Sequence, residues 1–350
     1  MNKQMGKDIQ NPQPNNVLSY NGKQTSFIKK NTLVVILICI FIVGCMASPV
    51  FFRGNNIQNI LINVSIYGVL AIGQTMVMLV KEIDLSIGAI MAFAPMTSVF
   101  ITRAIMLSMG TEIIKGGNYV TSGMLLLIVL TIIISVLIGL LNGFIRVKAK
   151  VPSLITTLGM MYALGGLAYV FSGGYSLYLT RLEGINWLGT HKFLSIPVSF
   201  LIFLAIGIVT IIIIRYTKVG RRIYATGGNE KAALYSGVNT NLWKIIAFGF
   251  SGFCAGISAL IYSSRLESIE PVQGNGYELI AIAVAVIGGT TLQGGRGTIS
   301  GTLIASAILS IVLNIMSLIG LVAWYQTIIL GCIIIGAAFQ HSRAQQSRVF

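Results

Sequence analysis

The chain has 350 residues, 55% hydrophobic and only 9% charged, with a net charge of +15. A typical soluble domain is about 25% charged, so an ordinary soluble enzyme is excluded. Apolar runs about twenty residues long recur without alternation, which excludes a membrane β-barrel and points to α-helical spans.

Residues 1–32 are polar, rich in Asn, Gln and Lys, and lack an apolar core. They read as a disordered cytoplasmic tail, too polar for a secretory signal peptide. Ten apolar spans follow, centred near Leu33–Val50, Ile57–Val80, Leu85–Leu107, Met124–Ile145, Pro152–Phe171, Ile196–Ile214, Ile245–Tyr262, Leu279–Gly289, Ile299–Leu318 and Val322–Phe339. The expected fold is an all-α polytopic membrane domain over residues 33–340, with a cytoplasmic tail at 341–350. Gly68 and Gly73 predict a break in the second span. The eighth, short and glycine-rich, predicts a half-crossing element, so eight or nine full crossings also fit.

With the N-terminus inside, cytoplasmic segments hold 18 of the 24 Lys and Arg, leaving Arg53, Arg103, Lys115, Arg181, Lys192 and Arg265 elsewhere. That asymmetry places both termini in the cytosol. It also accounts for the positive charge as a topology device, with no nucleic-acid partner.

Asp84 stands between the second and third spans, in Lys81-Glu82-Ile83-Asp84-Leu85-Ser86-Ile87-Gly88. Its place at a helix start favours an N-cap, accepting backbone N–H bonds and complementing the dipole, over proton or sodium carriage. Glu278, at the start of the eighth span, reads the same way. Lys81 and Glu82 are placed to form a local salt bridge, worth about 0–1 kcal/mol when exposed. Cys39, Cys45, Cys254 and Cys332 fall inside spans as small packing residues. His191 and His341 have no partner with ligand or catalytic spacing, and there is no GxxxxGK[ST] phosphate loop. Catalysis by this chain is not expected.

The segment Tyr224–Gly237, YATGGNEKAALYSG, interrupts the apolar pattern. It lies in a polar loop of about residues 215–244, flanked by Arg215, Lys218, Arg221, Arg222 and Lys244 and containing Lys231. Such charge keeps a loop in the cytoplasm, and its length predicts an aqueous docking partner.

Among the 39 glycines, Gly252 with Gly256 and Gly297 with Gly301 have the spacing of close helix packing. The run Gly288–Gly301 is denser than packing requires and predicts a flexible turn, able to hinge or to line a cavity. Gln74, Thr75, Asn142, Thr156, Thr157, Asn314 and Gln326 lie inside spans; singly they suit helix–helix hydrogen bonds. As a set they suit a pathway for an uncharged, polyhydroxylated solute. Trp324 and Tyr325 read as interfacial anchors.

Four motifs in order resemble the permease subunits of bacterial ATP-binding-cassette importers for ribose, xylose, related sugars and autoinducer-2. IDLSIG at Ile83–Gly88 is similar to that family's GIDLSVG. VPSLITTLGMM at Val151–Met161, with SGG at Ser172–Gly174, is similar to its PSFIVTLGTM region. GGNEKAALYSGV at Gly227–Val238 resembles its GGNxxAAxxSG block. YELIAIAVAVIGGTTLQGGRGTISGTLIAS at Tyr277–Ser306 resembles its ELxAIAAVVIGGTSLxGGxGxxxGTxxGA block. Branched-chain amino-acid permeases are more distant cousins; Asp84–Ser86 and AIAVAVIGG favour the sugar branch.

The resemblance implies a multi-pass subunit of the bacterial inner membrane, paired with a second permease, two ATPase domains and an external sugar-binding protein. ATP and Mg would be bound by the ATPase partner, with no cofactor or metal in this chain. Gly227, Gly228, Asn229, Glu230, Ala232, Ala233, Ser236 and Gly237 would dock on the ATPase. Gln74, Asp84, Ser86, Asn142, Thr156, Thr157, Glu278 and Asn314 would line the translocation pathway. Lys81-Glu82 departs from the family pattern, which has glycine before Ile83. Two other readings stay open: an ion-coupled secondary carrier for a small neutral solute, and a membrane scaffold or sensor recruiting a signalling partner.

Overall fold

The structure, a computed structural model, describes residues 31–108, 120–179 and 187–346. Residues 1–30 of the tail expected over 1–32, with Lys115, Arg181 and residues 347–350, lie outside them. Thirteen helices are described: α1 (Thr32–Ala47), α2 (Gly54–Leu79), α3 (Ile87–Ser108), α4 (Val120–Lys148), α5 (Ser153–Ser172), α6 (Trp187–Thr190), α7 (Val198–Tyr216), α8 (Lys218–Gly228), α9 (Glu230–Tyr235), α10 (Thr240–Leu266), α11 (Tyr277–Ile287), α12 (Ile299–Leu318) and α13 (Ala323–Gln346). Seven of them, α2, α3, α4, α5, α7, α10 and α12, are long and apolar enough to cross a membrane. The chain is an all-α, multi-pass membrane protein. Two antiparallel strand pairs staple loops: β1 (Leu177–Tyr178) with β4 (Ser268–Ile269), and β2 (Lys192–Phe193) with β3 (Ile196–Pro197).

Helix α2 is the axis of the bundle and is buried along most of its length. It runs unbroken through Gly68 and Gly73, contrary to the break expected there. Both glycines serve close approach: a β-carbon on Gly68 would enter the Phe203 ring of α7, and one on Gly73 would lie 2.8 Å from Cys254 Cβ and 3.1 Å from Ser251 Cα of α10. Cys254 is thereby the small buried packing residue expected, whereas Cys39, Cys45 and Cys332 are exposed.

Lipid provides no hydrophobic drive between helices, so small residues set how closely backbones meet. The α4–α10 pair shows this. Gly139 abuts the Phe248 carbonyl, Gly252 abuts the Ser135 carbonyl, and a β-carbon on Gly256 would sit 2.8 Å from Ser135 Oγ.

The loop between α11 and α12 holds the dense glycine run, and packing accounts for it after all. A β-carbon on Gly288 would lie 2.7 Å from Thr302 N, one on Gly294 2.6 Å from Lys81 Cβ, and one on Gly295 2.5 Å from Gly228 Cα. Gly294 and Gly295 are also left-handed, with φ of 78° and 68°, a conformation glycine adopts without steric cost. The loop is a fitted seat, wedged between the α2–α3 junction, the start of α12 and the end of α8.

Candidate functional site

The α2–α3 junction gathers the polar residues. Helix α2 ends with Lys81 in the left-handed region, φ 66°. Lys81 N donates to Met78 O and Glu82 N to Val77 O, at 3.0 and 3.1 Å. This is the bond pair of a Schellman cap, with lysine at the position glycine usually fills.

Three residues beyond Lys81, Asp84 is fully buried. Its Oδ1 accepts Ser86 N at 2.9 Å and Ser86 Oγ at 2.7 Å, and its Oδ2 accepts Ser251 Oγ of α10 at 2.9 Å. Asn142 Nδ2 of α4 donates to Ser86 Oγ at 2.8 Å. The expected N-cap role of Asp84 is therefore corrected. Ser86 holds that position, since its carbonyl accepts Ile90 N at 2.9 Å. Asp84 instead closes a turn over Ser86 and ties the junction to α10. The start of α5 covers the other side: Ser153 Oγ accepts Ile83 N at 3.2 Å, while Thr157 Oγ1 donates to Ser153 O at 2.8 Å and Thr156 Oγ1 to Pro152 O at 3.3 Å.

The local Lys81–Glu82 salt bridge is also corrected. Glu82 is 5% exposed and pairs with Arg146 Nε of α4 at 2.9 Å and Lys244 Nζ of α10 at 3.1 Å. The backbone turn at Lys81 sends the two side chains apart. Lys244, 5% exposed, also pairs with Glu230 of α9 at 2.8 Å.

The predicted docking segment forms α8 and α9, side by side. Thr217 Oγ1 caps α8 by accepting Val219 N at 3.1 Å, and Asn229 Oδ1 caps α9 by accepting Ala232 N at 3.0 Å. Gly227 is buried against the Leu79 carbonyl, and Gly295 N donates to that same carbonyl at 2.9 Å. Tyr224 OH donates to Gly297 O at 2.7 Å; partial burial pushes its phenol above the ordinary value. Partial burial also raises the Glu230 carboxyl, but Lys244, Thr240 and Arg146 outweigh it and hold the group below its ordinary value. Gly227 and Ala233 face inward, whereas Gly228, Asn229, Ala232, Ser236 and Gly237 face solvent. Beside them Leu234 and Tyr235 are 51% and 92% exposed. Motif matching did not single out this pair, although two large apolar residues in a polar loop were a readable signal.

The N-cap role expected of Glu278 is also corrected: Gly276 holds that position without a side-chain cap bond. Glu278 stands in the first turn of α11, where its charge complements the helix dipole and its carboxylate presses on Gly88. It lines a cavity of about 390 Å³ with Gly88, Tyr162, Gly166, Tyr169 and Asn275. The two tyrosines, seven residues apart on α5, were not singled out from the sequence. Asn314 is separate from these groups. It exchanges amide bonds with Asn56 at 2.8 and 3.0 Å, tying α12 to the start of α2. Gln74 is fully buried on α2, with no protein partner for either amide atom. The eight residues expected to line a pathway thus fall into a junction group (Asp84, Ser86, Asn142, Thr157, with Thr156 adjacent), Glu278 in a cavity, and Gln74 and Asn314 each apart. Among the described residues no group of three or more His, Cys, Asp or Glu could hold a metal ion.

Relatives share this length and pattern. The ribose import permease protein RbsC of Escherichia coli (strain K12) is 34% identical over 322 residues, 91% of this chain and 95% of that one. RbsC of Bacillus subtilis (strain 168) is 38% identical over 300 residues, covering 85% and 88%. The L-arabinose ABC transporter permease protein AraH of Azospirillum brasilense is 30% identical over 325 residues, covering 92% and 90%. No solved structure matches the chain. The family described as "Branched-chain amino acid transport system / permease component" matches residues 56–338, and the chain belongs to that family of membrane permeases.

Proposed function

We propose that this chain forms the translocation pathway of an ATP-driven importer for a monosaccharide or similar polyol. ATP is hydrolysed by separate subunits, and the solute is delivered by an external binding protein. The observation that carries the reading is the α8–α9 unit: anchored on the membrane bundle through Gly227, it presents Leu234 and Tyr235 to water. Large exposed apolar side chains on a small, rigid, charged-flanked element suit a protein partner, and an ATPase is the partner that family membership makes relevant. The ribose and arabinose permeases among its relatives support a sugar as cargo.

Ten membrane segments place both termini in the cytosol when α1 and α13 cross and α11, with its glycine loop, makes the return. The positive-inside distribution supports that arrangement. α8, α9 and the α2–α3 junction then lie on the cytoplasmic side, and the Glu278 cavity opens toward the binding protein. In that cavity Tyr162 and Tyr169 offer apolar ring faces, while Asn275 and Glu278 offer donors and acceptors to hydroxyls. This is the mix of apolar walls and a few fixed polar groups usual in small-molecule sites. Asp84, Ser86, Asn142 and Thr157 close the inner end. A second permease copy or close relative and two ATPase domains complete the assembly.

Co-purification tests the docking surface. The chain should retain a candidate sugar-importer ATPase subunit, and Tyr235→Asp should remove that ATPase while the permease stays monodisperse. Undiminished retention would contradict the assignment.

A further inference from the structure

Lys244 is an almost fully buried ammonium held by two carboxylates from different elements. Glu230 of α9 binds it through both oxygens, at 2.8 and 2.9 Å, and Glu82 of the α2–α3 junction binds it at 3.1 Å. Glu82 in turn holds Arg146 of α4 at 2.9 Å. The charges alternate along the series Glu230, Lys244, Glu82, Arg146, linking the surface unit to three membrane elements. Arg222 of α8 lies over the Trp243 ring, 5.6 Å from its centroid, beside this series. Lys244 and Glu82 are buried, while Arg146 is 25% and Glu230 43% exposed. Drawing a partner away from Lys244 or Glu82 leaves a buried charge less compensated, which is costlier than losing an exposed pair. Movement of α9 is therefore resisted unless Lys244 and Glu82 move with it.

Glu82 lies two residues from Asp84, whose carboxylate closes the polar cluster with Ser86 and Ser251. We propose that Glu82 and Lys244 are positioning residues for transport: they carry displacement of the α8–α9 unit into the Glu82–Ser86 junction and so gate the inner end of the pathway. Neither residue touches solute in this scheme. The inference rests on the docking assignment of α8–α9 and adds to it the route by which docking reaches the pathway.

The test uses the reconstituted complex of permease, ATPase and sugar-loaded binding protein, with labelled D-ribose as solute. Hydrogen exchange is compared with and without a non-hydrolysable ATP analogue. In the unmodified complex, protection should change over residues 227–237 and over residues 80–86 together. In Glu82→Gln it should change only over 227–237. The ATP hydrolysed per solute imported should rise by about tenfold, an ordinary coupling free energy, in Glu82→Gln and Lys244→Met. Lys244→Arg, which keeps both ion pairs, should stay close to the unmodified ratio.

A purely structural ion cluster would lower thermal stability without changing that ratio, and this result would overturn the proposal. So would a nucleotide response at 227–237 that leaves 80–86 unchanged in the unmodified complex, a measurement that stands even where Glu82→Gln fails to fold. If no ATPase associates with the unmodified chain, the docking assignment itself fails, and the relay falls with it.

Discussion

Gly227 packs so closely on the backbone carbonyl of Leu79 that no β-carbon fits between them. That contact joins the end of α8 to the end of the central helix, and Gly295 N completes it from the other side. Gly227→Ala should force α8 away from its seat, at the cost of about 1–3 kcal/mol typical of overpacking. Gly228→Ala, one residue on, meets nothing within 4 Å and should be neutral. Thermal unfolding of the two purified variants separates them; equal midpoints would contradict the seat.

The neighbouring alanines should behave differently. Ala232 is exposed and Ala233 is 5% exposed. Ala232→Arg should insert and purify normally but lose the ATPase. Ala233→Arg forces a charge beneath α9 and should lose stability before any docking effect is seen. Size-exclusion profiles paired with co-purification distinguish the two outcomes.

Much of this arrangement was legible in the sequence, and the misses have physical causes. Apolar run length located the seven long helices, because a span must satisfy its own backbone bonds. The polar, basic-flanked stretch at Tyr224–Gly237 located α8 and α9. Glycine cannot be interpreted without its neighbours: from the sequence Gly68 and Gly73 predict a break in α2, yet they admit Phe203 and Cys254. Ionic partners were equally hidden. Glu82 finds Arg146 and Lys244, distant in sequence, rather than adjacent Lys81, because the left-handed turn at Lys81 separates the two side chains. Tyr162 and Tyr169 sit in an ordinary apolar span, and only the cavity reveals what they share.

That turn yields its own prediction. A left-handed residue with a β-carbon costs roughly 1–2 kcal/mol, and a β-branched one suffers most. Lys81→Gly should hold or raise the unfolding midpoint, while Lys81→Val should lower it. A common downward shift would show that the lysine side chain itself matters.

Glu230 sets the response to acid. Its carboxyl is held below the ordinary value, so the stability it contributes is present above its unfolded pKa, about 4.3, and is lost as pH falls through the folded value. The groups facing it are Lys244 and Thr240, with Arg146 beyond. Exchange protection of the α9 amides, corrected for intrinsic rate, should be flat from about pH 6 to 8 and fall only in acid. Lys244→Met should abolish the acid step. A step near neutrality would contradict this pairing.

Uptake by proteoliposomes separates ATP-driven import from gradient-driven transport. With the partner ATPase and a sugar-loaded binding protein, labelled sugar should accumulate only when ATP is supplied, and Ala232→Arg should abolish accumulation. Proton- or sodium-driven uptake by this chain alone, without any ATPase, would rule out ATP-driven import and establish a secondary carrier in its place.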